Sequence, residues 1–112
     1  MNIQIYGVKK CFDTQKAERF FKERRIKYQF IDILRYPPSK GELESIKRAV
    51  GINGLINTDA KEYRMLNLHI IASLDSRAEI LLNNPKLYIT PVVRNGKQAT
   101  AGYKPEVWSS WE

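Results

Sequence analysis

The sequence contains only one cysteine and one histidine among its 112 residues. A single cysteine cannot form an internal disulfide, and one histidine beside it leaves too few soft ligands for a structural zinc site. Hydrophobic residues make up 43% of the chain, but no apolar run approaches the roughly 20 residues that a membrane-spanning helix needs. We therefore expect no metal site and no membrane span, and any redox chemistry must use the thiol of another molecule.

The start of the chain also lacks the features of a secretory leader. Met1 to Tyr6 alternate between apolar and polar residues, without a charged segment, a long apolar stretch or a small-residue cleavage site. We therefore expect a cytoplasmic protein. The length fits a single domain over residues 1–112, large enough to build a core without disulfides or a metal.

Positive charge is abundant, because 19 lysines and arginines outnumber 12 acidic residues and give a net charge of +7. Such a charge suits phosphate binding, which supplies most non-specific affinity for nucleic acids. The basic residues are nevertheless spread along the chain, usually with Glu or Asp nearby, and no nucleic-acid recognition motif accompanies them. The composition therefore favours a solvated basic surface over direct binding of nucleic acid.

The first third of the chain predicts a β-α-β unit. Residues 2–6 alternate with the period of a strand and end at Gly7, and residues 13–25 carry apolar side chains at helical spacing. Residues 27–33 form a second β-rich run. The short connection from helix to strand predicts a parallel pair of strands.

The middle of the chain predicts helices. Pro37-Pro38 breaks the chain, and Ser39-Lys40-Gly41-Glu42 has the Ser-x-x-Glu pattern of a capping box, which starts a helix over residues 39–50. Gly51 is suited to end this helix in the left-handed conformation, because glycine takes a positive φ without steric cost. Residues 53–83 show helical spacing in several short pieces.

The last third predicts a hairpin and a terminal helix. Strand-like residues 92–101 contain Asn95-Gly96, a strong signal for a tight turn, and Pro105 suits the first turn of a helix. Trp108 and Trp111 fall on one side of that helix and are expected to pack. Together the segments predict an α/β fold in which helices flank a four-stranded mixed sheet.

Cys11 is the strongest candidate for chemistry, because it follows a strand and precedes a helix. Unsatisfied amides and the helix dipole at such a position lower the pKa of a thiol, and we expect Lys9 and Lys10 to add positive charge beside it. The resulting thiolate would be the nucleophile in thiol exchange or in attack on an oxyanion. The alternative is that Cys11 packs as a small hydrophobic residue.

The chain resembles the ArsC/Spx group of arsenate-reductase-related proteins. The segments that carry the resemblance are Ile5-Tyr6-Gly7, Lys10-Cys11-Phe12-Asp13-Thr14, Lys16-Ala17, Pro37-Pro38-Ser39, Asn57-Thr58, Tyr63-Arg64-Met65-Leu66-Asn67-Leu68, Thr90-Pro91 and Gly102-Tyr103. They extend over nearly the whole chain. The resemblance implies a three-layer, thioredoxin-like fold with a helical insertion at about residues 39–83, and a catalytic Cys11.

The resemblance also identifies departures from the family pattern. Thr14 stands where redox-active members carry the second cysteine of Cys-x-x-Cys, which excludes a dithiol mechanism within one chain. Arsenate reductases of the family are expected to hold the oxyanion with three arginines, and the corresponding positions here are Asn57, Thr90 and Lys104. Arg64 and Arg94 could compensate for these losses, although both are expected to be surface or ion-pairing residues.

The resemblance further implies a substrate site around Lys10, Asn57, Thr90, Pro91 and Lys104, with a cis bond before Pro91 and exposed Thr90 backbone that pairs with an extended thiol peptide. Thr14 or Asp13 is expected to cap the first helix. The alternative is that the Thr14 hydroxyl contacts the substrate or the thiol. Phe12 is expected to pack or to shape access to the thiol, with packing favoured. The lone histidine, His69, is expected to be structural.

Two functions from different classes remain open at this point. The first is a thiol-dependent oxidoreductase that uses Cys11 and binds no cofactor. Its thiol donor would be glutathione, as a co-substrate, or a glutaredoxin-like partner, and arsenate is doubtful as its substrate. The alternative is a regulatory protein like Spx, which contacts RNA polymerase without redox catalysis. A third outcome is a family member that keeps the fold and has lost the activity, because fold alone does not decide function.

Overall fold

A computed structural model describes residues 1–111, in which four strands form one mixed sheet. The strands are β1 (Ile3–Gly7), β2 (Tyr28–Asp32), β3 (Val92–Asn95) and β4 (Gln98–Ala101), in the order β2-β1-β3-β4. β1 pairs in parallel with β2 and antiparallel with β3, and β3 pairs antiparallel with β4. The mixed four-stranded sheet expected from the sequence is confirmed.

In the described residues 1–111, six helices flank this sheet. They are α1 (Phe12–Glu23), α2 (Lys40–Val50), α3 (Ile52–Leu55), α4 (Lys61–Met65), α5 (Leu74–Asn83) and α6 (Pro105–Trp108), with short 3₁₀ turns at Leu68–Ile70 and Pro85–Leu87. Helices α2 to α5 lie between β2 and β3 in the chain. This is the helical region expected at about residues 39–83.

The sheet separates two hydrophobic clusters, so the fold has three layers. On one face, the buried residues of α1 and the two tryptophans near the C-terminus pack on β1 and β3; this cluster consists of Ile3, Ile5, Ala17, Phe20, Phe21, Val93, Trp108 and Trp111. On the other face, α2, α3 and α5 and the loops around them bury a second cluster that includes Tyr6, Ile46, Leu55, Leu81 and Val92. Burial of the two tryptophans confirms that they pack.

Local signals explain where several elements begin and end. Ser39 caps α2 through a complete capping box, in which its hydroxyl accepts from the Glu42 amide and the Glu42 carboxylate accepts from the Ser39 amide. Gly51 ends α2 with a positive φ of +85°, as predicted, but its ψ of 149° lies outside the left-handed helical region that the sequence suggested. Pro105 occupies the first turn of α6, also as predicted.

The hairpin turns one residue later than the sequence predicts. Its strands close at the pair Asn95↔Gln98, which leaves Gly96-Lys97 as the two-residue loop instead of Asn95-Gly96. Gly96 has a φ of +61° at the first loop position, where a type II′ turn places glycine. The prediction was wrong by one residue because the glycine takes the first loop position and not the second.

Within residues 1–111, no helix is long and apolar enough to cross a membrane. The same residues contain no group of three or more His, Cys, Asp or Glu side chains that could hold a metal ion.

Candidate active site

The chain places Cys11 at the N-terminus of α1, next to the end of β1. After β1 ends at Gly7, a tight turn returns the backbone, and the Cys11 amide donates to the Val8 carbonyl at 2.9 Å. Cys11 is the N-cap residue, with φ −76° and ψ 122°, and its carbonyl accepts from the Gln15 amide at 3.0 Å. The thiol therefore lies where the free amides of the first helical turn and the helix dipole favour a negative charge.

Thr90 contacts the thiol from the other side of the turn. Its hydroxyl Oγ1 lies 3.2 Å from Cys11 Sγ, and its carbonyl oxygen lies 3.8 Å from the same sulfur. The Thr90-Pro91 peptide bond is cis, as the resemblance implied, and β3 begins directly afterwards beside β1. The two residues are 79 positions apart in sequence, so the sheet brings them together.

The Thr14 side chain is fully buried beneath the same turn. Its hydroxyl accepts a hydrogen bond from the Val8 amide at 3.4 Å. The N-cap of α1 is Cys11 itself, so neither Thr14 nor Asp13 has the capping role that the sequence suggested. Gly7 is the close neighbour of Thr14, because a Cβ at Gly7 would lie only 2.5 Å from Thr14 Cγ2. The side chain at position 14 therefore fixes how closely α1 approaches β1.

Several groups act on the pKa of Cys11, and they do not all act in the same direction. Partial burial raises the pKa and is the largest single influence. Hydrogen bonds from the hydroxyls of Thr90 and Thr14, and from the backbone amides of Thr14 and Asp13, together outweigh it and lower the pKa of Cys11 below its usual value. The site thus favours the thiolate, the reactive form of cysteine.

The lysines before Cys11 are arranged differently from the sequence prediction. Lys9 Nζ lies 3.2 Å from Glu18 Oε1 and 4.0 Å from the centre of the Phe30 ring, so its charge is paired away from the thiol. Lys10 is exposed. Hydrogen bonds, rather than the charge of Lys9, therefore account for the lowered pKa.

Phe12 does not pack, in contrast to the interpretation favoured from sequence. Its side chain is 78% exposed at the first position of α1, immediately after Cys11. The apolar face of α1 is already supplied by Ala17, Phe20 and Phe21, which are all buried. A residue at position 12 is outside this stripe, so the Phe12 side chain extends into solvent.

The three positions where arginines were expected lie in different settings. The Asn57 side chain closes a local turn, because its Oδ1 accepts from the Asp59 amide at 3.0 Å. Lys104 is exposed, and the bond from the Gly102 amide to the Pro91 carbonyl at 2.8 Å brings this part of the chain to the Cys11 end of the sheet. Of the three, Thr90 is the residue in contact with Cys11.

The two candidate replacement arginines lie in different settings. Arg94 is largely buried between the sheet and α2, where it lies 3.9 Å from the Glu42 carboxylate and within reach of Gln4 and Ser45. Arg64 is exposed on α4. His69 is exposed as well, and its ring lies 6.4 Å from that of Tyr63.

The hydroxyl contact from Thr90 to Cys11 was missed by the sequence analysis, which gave Thr90 a backbone role. The signal available was a hydroxyl residue directly before Pro91. Sequence spacing alone could not show the contact, because it depends on the register of β3 against β1.

Comparisons with known proteins agree with this geometry. A model of the ArsC family matches residues 6–111. The global transcriptional regulator Spx 2 of Oceanobacillus iheyensis is 33% identical over 106 residues, covering 92% of this chain and 78% of that protein. Protein YusI of Bacillus subtilis is 30% identical over 113 residues, covering 95% and 94% of the two chains. An arsenate reductase structure from Vibrio cholerae matches with a TM-score of 0.85 and 27% identity, covering 96% and 94%.

These matches confirm the resemblance seen in the sequence and the thioredoxin-like character of the fold. They extend over nearly the whole chain and include both transcriptional regulators and arsenate reductases. The chain belongs to the ArsC family.

Proposed function

We propose that this protein is a thiol-dependent oxidoreductase in which Cys11 is the only nucleophile. The observation that carries the proposal is the hydrogen bond at 3.2 Å from the Thr90 hydroxyl to Cys11 Sγ, at the N-terminus of α1. A hydroxyl that donates to sulfur stabilises the thiolate more than the thiol, and hydrogen bonds to charged groups are the stronger kind. A cysteine that merely filled space would not need this partner.

The chemistry that one cysteine can perform is thiol–disulfide exchange. The Cys11 thiolate attacks one sulfur of a substrate disulfide, forms a mixed disulfide with it and expels the other sulfur as a thiolate, which takes up a proton. An external thiol then loses its proton and attacks the substrate sulfur of the mixed disulfide, which restores the Cys11 thiolate. The two steps exchange one disulfide for another and need no bound cofactor or metal.

Glutathione, or a glutaredoxin-like protein that supplies the thiol, is the proposed external donor. The proposal rests on the setting of the thiol: Phe12 and Lys10 are exposed on one side, and Lys104 is exposed at the same end of the sheet. Exposed ammonium groups attract the carboxylates of an anionic thiol peptide. The backbone of Thr90 is the proposed partner for the extended peptide. Such a reaction suits the reducing conditions of the cytoplasm.

Arsenate is a poor candidate substrate for this site. Tetrahedral oxyanions are held best by the paired N–H groups of arginine, and the three expected arginines are replaced by Asn57, Thr90 and Lys104. Each charge-assisted hydrogen bond contributes about 1.5–3 kcal/mol. Loss of two of these partners and weakening of the third therefore lowers the rate by about a thousandfold or more.

The test is the reaction of the purified protein with oxidised glutathione, followed by mass spectrometry. We expect one glutathione per chain on Cys11, a rate that rises with pH as the thiolate forms, and reversal by reduced glutathione. Cys11→Ser is the matched control and should gain no mass. A protein that forms no mixed disulfide under these conditions would contradict the proposed function.

A second candidate is a regulator that binds RNA polymerase in the manner that the resemblance to Spx suggests. The observation in its favour is the 33% identity to the regulator Spx 2 over 92% of the chain. Thr14, which replaces the second cysteine, removes the disulfide switch from such a protein. A stable, stoichiometric complex with RNA polymerase subunits, retained by Cys11→Ser, would support the regulator over the enzyme.

A further inference from the structure

A stripe of polar side chains on α1 faces the turn that leads into Cys11. Thr14, Gln15 and Glu18 follow Cys11 at the spacing that places side chains on one face of a helix. The Thr14 side chain is buried, only 12% of the Glu18 side chain is exposed, and Gln15 is exposed. We call these three residues the polar stripe.

Two residues of the polar stripe bind Lys9, which lies in the turn between β1 and Cys11. Gln15 Nε2 donates to the Lys9 carbonyl at 2.7 Å. The Glu18 carboxylate accepts from Lys9 Nζ, with its two oxygens at 3.2 and 3.4 Å. Together with the bond from the Val8 amide to Thr14, these contacts attach successive groups of the turn to α1.

Strand β2 holds Lys9 and Glu18 from the other side. Lys9 Nζ lies 4.0 Å from the centre of the Phe30 ring, and the Tyr28 hydroxyl donates to Glu18 Oε1 at 2.9 Å. The ammonium group of Lys9 is therefore held between α1 and β2, while its carbonyl is held by α1 alone. Both the backbone and the side chain of this turn residue have fixed partners.

These contacts affect the thiol more through its position than through charge. Gln15 is uncharged. A rise of about 1.5 Å per residue places Glu18 about 10 Å along α1 from Cys11, which is close to the Debye length of about 8 Å at physiological ionic strength. The direct charge effect of Glu18 on the sulfur is therefore small.

We propose that Gln15 and Glu18 are positioning residues, which hold the turn before Cys11 in place. They act through Lys9 and keep the sulfur at the distance of 3.2 Å from the Thr90 hydroxyl. A fixed position matters because hydrogen bonds weaken steeply as their geometry departs from the optimum, and reacting groups depend on the contacts that support them. The inference rests on the proposed function, in which Cys11 is the nucleophile, but the state of the thiol can be measured without a substrate.

The first test is Gln15→Met, which removes the donor to the Lys9 carbonyl, changes no charge and keeps a strong helix former. The readouts are the rate of alkylation of Cys11 by iodoacetamide as a function of pH and the ultraviolet absorbance of the thiolate. We expect the profile to move to higher pH and the rate at neutral pH to fall by about two- to tenfold, the factor that one net hydrogen bond supplies. A merely structural role of Gln15 would change the free energy of unfolding without moving this profile.

Glu18→Met distinguishes position from charge, because the two explanations predict opposite signs. Loss of the carboxylate removes a negative charge and releases the Lys9 ammonium, and by charge alone this would favour the thiolate and raise the rate at neutral pH. Loss of positioning lowers that rate, and this is the result that we expect. Glu23→Met makes the same chemical change at an exposed position of the same helix and should leave the profile close to that of the native protein.

Combination with Thr90→Val tests whether the polar stripe acts through the contact between Thr90 and the sulfur. Gln15→Met should move the profile less in Thr90→Val than in the native protein, because the bond that needs a fixed sulfur is then absent. Equal effects in the two backgrounds would overturn the proposal. So would a native profile in Gln15→Met, a raised rate in Glu18→Met, or an equal shift in Glu23→Met. Absence of a mixed disulfide with oxidised glutathione would contradict the proposed function alone, since alkylation needs no glutathione.

Discussion

Replacement of Thr90 by valine removes the hydroxyl that lies 3.2 Å from Cys11 Sγ and keeps nearly the same volume. A hydrogen bond to a charged group contributes about 1.5–3 kcal/mol, and this one favours the thiolate over the thiol, so its loss raises the pKa of Cys11. Cys11 is only partly buried. Water can replace part of the lost bond, so we expect the pKa of Cys11 to rise while the thiolate loses less than the full stabilisation of about 1.5–3 kcal/mol.

The measurement for Thr90→Val is the rate of alkylation of Cys11 by iodoacetamide as a function of pH, with the ultraviolet absorbance of the thiolate as a second readout. Thr90→Ser keeps a hydroxyl at this position and should stay close to the native pKa. If the pKa of Cys11 in Thr90→Val equals that in the native protein, the reasoning is refuted. An equal rise in Thr90→Ser would show that packing, and not the hydrogen bond, sets the pKa.

Three further outcomes follow from the structure. Arg25 follows α1 with a φ of +58°, so Arg25→Gly should raise the free energy of unfolding by about 0.5–1 kcal/mol in urea titrations; a destabilised variant would contradict this. Gly7→Ala should lower the free energy of unfolding by about 1–3 kcal/mol, because the added methyl group would lie 2.5 Å from Thr14 Cγ2. Adding Thr14→Ala to this variant should recover part of the lost stability, and purely additive losses of the two substitutions would refute the contact. Because the pKa of Cys11 is lowered in the folded protein, the free energy of unfolding of the native protein should rise relative to that of Cys11→Ser as the pH increases from this pKa toward the free-cysteine value of about 8.5. The advantage should be lost at lower pH. A difference between the two proteins that does not depend on pH would count against a stabilised thiolate.

Much of the fold could be predicted because its signals are local. The alternation in β1, the capping box at Ser39, the glycine that ends α2 and the proline that begins α6 each depend on residues within a few positions of one another. The hairpin turn was misplaced by one residue because its position is not set by local signals alone. Glycine favours either loop position, and the choice depends on how β3 pairs with β1, which is a long-range property.

The candidate site could be predicted in part. Cys11 could be found because a strand-to-helix turn is visible in sequence, but the groups around it come from distant segments. Glu18 withdraws Lys9 from the thiol, and the start of β3 brings the Thr90 hydroxyl to it. The exposure of Phe12 could not be read from its hydrophobicity, since three other residues already fill the buried face of α1. Only the three-dimensional arrangement shows which of these residues touch.

The roles of Lys10, Asn57 and Lys104 in substrate binding stay predictions. Lys10 and Lys104 are exposed cations, and the Asn57 side chain is held in a local turn. Two lysines and an asparagine lack the paired N–H groups of a charged guanidinium, with which arginine binds a small oxyanion.

The measurement that tests the central claim most directly is a comparison of two reactions catalysed by the native protein with glutathione and glutaredoxin. One substrate is a small disulfide and the other is arsenate, and Cys11→Ser is the control for both. We expect turnover of the disulfide that depends on Cys11, with little or no reduction of arsenate. Robust reduction of arsenate that is lost in Cys11→Ser would contradict the account, because it would mean that Arg64, Arg94 or backbone amides bind the oxyanion in place of the three expected arginines.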